Sequence, residues 1–130
     1  MEFIAAILLA HLVGDYVLQS DWMANEKTKS WWPAILHGLT YTLPFLLITQ
    51  SIPALLVIAV THIIIDRFRL AKQLVFIKNF IAPKRAWPTW EDSKATGYPS
   101  KTPVWMATWL MIIADNCVHI LINLAAILWL

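Results

Sequence analysis

All four histidines of the 130-residue chain, and three of its eight acidic residues, fall inside apolar stretches: His11, His37, His62 and His119, with Asp15, Asp66 and Asp115. Imidazole and carboxylate together are ligands for borderline divalent metals, zinc first, with manganese, iron or cobalt as alternatives. His11 and Asp15, His62 and Asp66, and Asp115 and His119 each stand four apart, so on a helix each pair projects from one face in adjacent turns. Gln19 extends the first stripe, Asn123 the last, and Tyr41 follows His37 by one turn. Seven candidate ligands exceed the four of a tetrahedral zinc. They suit two ions sharing carboxylates, or one ion whose ligands are oriented by the remaining groups. Asp66 and Asp115 are the expected catalytic carboxylates.

A single His four residues from an Asp is, on most soluble helices, a surface or capping pair. Here three such pairs sit in segments apolar enough for lipid, where an unpaired charged Asp costs on the order of 3 kcal/mol. Metal coordination, a proton relay or a structural hydrogen-bond network would offset that cost. Cys117 is two residues from both Asp115 and His119, hence off their face, and reads as packing.

Composition narrows the frame. The chain is 59% apolar and 14% charged, against roughly 45–50% and roughly 25% in ordinary soluble domains, which argues against a soluble globular domain and against a disordered tail. A net charge of +2 leaves no bulk basic field for nucleic acid. One cysteine makes no internal disulfide.

Four apolar segments must position these groups: residues 3–19, 32–49, 52–70 with an amphipathic extension to 81, and 104–130. The predicted fold is all-α, a membrane-embedded antiparallel bundle of four transmembrane helices in a single domain over 1–130. Pro44 predicts a kink in the second segment. Four prolines and Gly97 between Ala82 and Pro103 predict the one long loop. A signal peptide fits the first segment poorly, since Met1-Glu2 supplies no basic n-region. Counted from the Thr49–Ser51 turn, His37 and Asp66 differ in height by about one turn, roughly 5 Å, so one polar layer can collect groups from all four helices. Lys and Arg all fall on one side of such a bundle, which makes that side cytoplasmic and both termini periplasmic in a bacterial inner membrane.

The run His11-Leu-Val-Gly-Asp15-Tyr-Val-Leu-Gln19-Ser-Asp-Trp-Met, the lone His37, then Thr61-His62-Ile-Ile-Ile-Asp66-Arg67-Phe68 and finally Asp115-Asn-Cys-Val-His119 resemble a small bacterial and phage family of integral membrane proteins of unassigned function. In motif style they are also similar to membrane-bound metal-dependent hydrolases. The resemblance implies the site residues more than a reaction.

Two functions compete. The first is a membrane-embedded, metal-dependent hydrolase acting on a phosphoester of a lipid, an isoprenoid phosphate or another anionic substrate, which Arg67, Arg69, Gln19 and Lys27 would bind. The second is an ion or proton carrier using the His/Asp column as a relay, a small transporter that would need a homodimer. Membrane lipids are the expected surroundings in both, and nucleic acid in neither.

Overall fold

Each apolar segment becomes helix, and three of the four break before reaching spanning length. The computed structural model describes residues 2–130. Its α-helices are α1 (Glu2–Leu12), α2 (Asp21–Glu26), α3 (Trp31–Thr42), α4 (Ile52–Phe68), α5 (Leu70–Lys78), α6 (Trp90–Ser93) and α7 (Val104–Trp129).

The breaks have local causes. After α1 the chain widens into a π-helical turn, Val13–Val17, closed by the Leu18 N–H donating to the Val13 carbonyl at 3.0 Å. Gly14 lies in that turn against Tyr41, where a Cβ would come within 2.7 Å of the ring and 2.8 Å of the Tyr41 carbonyl oxygen. Pro44, lacking an N–H, sits in the 3-10 segment Leu43–Leu47 that ends α3. Arg69 adopts a left-handed conformation (φ 51, ψ 47) just after α4. Ser20 starts α2 by accepting from the Met23 N–H at 3.3 Å.

The four-span bundle is therefore corrected. At 1.5 Å per residue the 11 residues of α1 cover roughly 17 Å, the 12 of α3 roughly 18 Å and the 17 of α4 roughly 26 Å, short of the roughly 30 Å hydrocarbon core. Among the described residues one helix, the 26-residue α7, is long and apolar enough to cross a membrane, and it is mostly exposed. Multi-pass localisation, with both termini periplasmic, loses its support with the spans on which it rested.

The chain divides into two compact units. One holds the described residues up to Phe68 together with His119–Leu130, and the other Arg69–Val118. In the first, Ile7, Ala10, Tyr41, Phe45, Ala54, Ile58 and Ala126 form the apolar core. Gly38 lets α3 approach α4 closely, since a Cβ there would collide with Ile63. In the second unit Val75 is fully buried, Phe76 meets both Phe80 and Trp90 edge-on, and the Asn79 amide donates to the Gly97 carbonyl at 2.9 Å.

Candidate metal centre

Four side chains from three places in the first unit converge at the inner end of its core. Asp15 comes from the π turn, His37 from the middle of α3, and His62 and Asp66 from adjacent turns of α4. Each is buried. His37 Nε2 lies 2.9 Å from His62 Nε2, 3.2 Å from Asp15 Oδ1 and 3.2 Å from Asp66 Oδ2, and His62 Nε2 lies 3.4 Å and 3.3 Å from the same two oxygens.

Those separations fit a known shape. Four N and O ligands at about 2.0–2.2 Å from a zinc ion stand about 3.3–3.6 Å apart when tetrahedral. The measured contacts, 2.9 to 3.4 Å, cover five of the six edges of such a tetrahedron. This buried Asp/His cluster can hold a metal ion.

The π turn explains how Asp15 arrives there. Widening the helix after Leu12 redirects the residues that follow, and such turns recur at functional sites. Glycine at position 14 is what allows the turn to lie on Tyr41. The Tyr41 ring in turn stacks on His62, with centroids 3.6 Å apart and planes at 13°. Packing fixes the two ligand imidazoles, because the Nδ1 atoms of His37 and His62 are buried without hydrogen-bond partners among the described residues.

The second carboxylate oxygens face the other histidines. Asp66 Oδ1 lies 3.3 Å from His119 Nε2, and Asp15 Oδ2 lies 3.7 Å from His11 Nε2. The Asn123 amide donates to Tyr41 Oη at 2.5 Å, and Tyr41 Oη is 2.9 Å from His11 Nδ1. His11 has one ring nitrogen beside Tyr41 Oη and the other facing Asp15. His11 and His119 thus orient carboxylates that His37 and His62 share.

Burial and charge set the protonation states. Burial pulls His62 down, only partly offset by Asp66, to about 4, so its imidazole is neutral at pH 7 and ready as a ligand. Burial would raise Asp66, but its electrostatic coupling to His62 and hydrogen bonds from His119, His37 and His62 hold it well below the usual carboxylate range. Asp15 is lowered against its own burial, mainly by His37 and His62. His37 is raised, because hydrogen bonds to Asp15 and Asp66 outweigh its burial.

Lys27 is the one lysine among these groups. Its Nζ donates to Gln19 Oε1 at 2.6 Å and to Asp66 Oδ2 at 2.5 Å, and stands 3.2 Å from His37 Nε2. Of the expected anion-binding residues, Lys27 and Gln19 are therefore at the site. Arg67 is engaged elsewhere, donating to the carbonyls of Thr28 (2.5 Å) and Lys29 (3.2 Å) with its guanidinium over Trp31. Arg69 belongs to the other unit and is exposed. Asp115 is half-buried on α7, one turn before His119, and Cys117 is exposed rather than packed. The parts that residue type alone does not reveal are Gly14 and Gly38, whose signal is a glycine inside an apolar helical run beside a candidate ligand.

Over residues 3–130 the chain matches the model of a family described as protein of unknown function (DUF3307). The chain belongs to that family. No curated protein and no solved structure matches it. The family match agrees with the resemblance in pointing to a family of unassigned function; it carries neither the membrane character nor a reaction.

Proposed function

We propose that this chain is a zinc- or manganese-dependent hydrolase of anionic esters, with a phosphoester as the preferred substrate class. The observation that carries the reading is the convergence of His37, His62, Asp15 and Asp66 at tetrahedral separations, with the Lys27 ammonium on the same oxygen of Asp66. A bound ion would bring the pKa of a water toward about 7 and polarise the scissile group.

The residues divide the work as follows. A catalytic zinc keeps three protein ligands and one open position. His37, His62 and Asp66 would supply the three. Asp66 is the more firmly held carboxylate, with His119 at 3.3 Å, whereas the second oxygen of Asp15 has the longer contact of 3.7 Å to His11. Asp15, the less firmly held carboxylate, would be placed to accept a proton from a water, the role of a general base. Lys27, with Gln19 beside it, meets the negative charge of the substrate. An ammonium beside the ligands serves an anion-binding enzyme.

A panel of soluble phosphomonoesters and phosphodiesters, with phospholipids and isoprenoid phosphates in mixed micelles, tests this reading with and without added zinc or manganese. Metal-dependent phosphate or headgroup release that Asp15→Asn abolishes, while metal stays bound, is the expected result. The soluble and lipid arms separate a free phosphoester from a lipid one. No release across the panel would remove the hydrolase reading.

One feature favours the second function, a proton carrier. Asn123, Tyr41, His11, Asp15, the His37–His62 pair, Asp66 and His119 form a continuous series of polar contacts. Proton flux into reconstituted vesicles that requires both Asp15 and Asp66, without ester cleavage, would establish it.

A further inference from the structure

Two carboxylates and two imidazoles meet in a buried space, and a cation already stands against them. The Lys27 ammonium touches Asp66 Oδ2 at 2.5 Å and His37 Nε2 at 3.2 Å, two of the four atoms that would ligate a metal. An ion held at about 2.0–2.2 Å from Asp66 Oδ2 would lie no more than about 4.7 Å from that nitrogen, since both would share one oxygen. Two cations that close, beside buried groups, repel strongly.

Lys27 also has somewhere to go. It is the residue that caps the C-terminal end of the short helix α2, and its stem is long and flexible. Its side chain is 17% exposed, against 5% for Asp66 and 0% for His37. Gln19, half-buried, accepts from the same ammonium at 2.6 Å.

We infer that Lys27 competes with the metal for Asp66: its ammonium and an ion would bear on the same oxygen, Asp66 Oδ2, and metal entry draws the ammonium off that oxygen while its contact with Gln19 can persist. The inference rests on the metal-binding reading above. It makes Lys27 a determinant of metal affinity as well as an anion anchor, and it couples the two: the anchor is released from Asp66 only when the ion is in place. Substrate binding then follows metal loading.

Zinc titration of the full chain, followed by isothermal calorimetry with a competing chelator, measures the first consequence. Lys27→Met and Lys27→Gln remove the resident cation and leave the two carboxylates uncompensated, so both variants are expected to bind zinc about tenfold or more tightly than the native protein. The second consequence is read on the native protein by amine-reactive labelling and mass spectrometry. Modification of Lys27 is expected to rise several-fold when zinc is added, with the exposed Lys29 as an unchanging internal reference.

Equal or weaker zinc binding by both variants, with helical circular dichroism retained, would overturn the inference while leaving the metal site standing. Zinc binding by the native protein without a rise in Lys27 labelling would do the same. Absence of zinc binding in the native protein and in both variants would overturn the metal reading and this inference together.

Discussion

Asp15 and Asp66, brought together from a π turn and from α4, each give one oxygen to the His37–His62 pair and the other to a further histidine. The arrangement is a pair of carboxylates held at both ends. An oxygen that must sit within a few tenths of an ångström of a metal position is best fixed by a hydrogen bond on its twin.

The outer histidines are therefore expected to tune metal binding without being required for it. His119→Ala should weaken zinc affinity roughly 10–100-fold, as loss of an outer-shell partner does. His11→Ala should weaken it less, because its contact to Asp15 is 3.7 Å against 3.3 Å for His119 and Asp66. Competition titration with a chelator of known affinity checks the order. An unchanged affinity in His119→Ala would remove the orienting role, and complete loss would make His119 a ligand.

Gly14 carries the approach of the π turn to α3. Gly14→Ala places a methyl 2.8 Å from the Tyr41 carbonyl oxygen, a backbone atom that cannot swing aside. The substitution should destabilise the fold by about 1–3 kcal/mol and reduce metal binding by moving Asp15. Urea denaturation of the metal-free protein measures the first effect. Stability within error of the native protein would show that the turn and α3 do not pack as described.

Acid is expected to weaken the metal-free protein in a defined window. His62 has a pKa of about 4 in the fold against 6.5 unfolded, so between those values the unfolded chain binds more protons and stability falls as pH falls. His37 is raised, so it is protonated in both states below 6.5 and adds no slope in that window; its own contribution is lost only as pH rises through its folded value. Asp15 and Asp66, both lowered from 3.8, add a further loss below that pH. Denaturation midpoints measured from pH 7 to pH 4 should decline in the native protein and flatten in His62→Gln. A flat native profile would contradict the buried, neutral state of His62.

Much of the site was legible because its chemistry is local. Residues four apart on a helix share a face whatever surrounds them, so the pairs His62–Asp66 and His11–Asp15 could be read from spacing, and the lone His37 from its polarity in an apolar run. What spacing does not carry is where three of the four helical segments break. Hydropathy averages over a window and shows one continuous segment where Gly14 permits a π turn, whereas Pro44 did mark the place where α3 gives way to a 3-10 end. Four spans were inferred from composition that three shortened helices do not honour. Charge was legible in amount but not in address: Arg67 and Lys27 look alike as basic residues near Asp66, yet one guanidinium is committed to the carbonyls of Thr28 and Lys29 while the ammonium reaches the ligands. That distinction depends on the 27–30 loop, which no periodicity describes.

The central claim is that His37, His62, Asp15 and Asp66 together hold one ion, and its most direct test is the metal content of the purified chain by elemental analysis after zinc loading and removal of free metal. The native protein and Cys117→Ala are expected to retain one zinc per chain. His62→Ala and Asp66→Ala should retain little, although each remains helical by circular dichroism. Equal zinc in all four proteins, or none in the native one, would contradict the account.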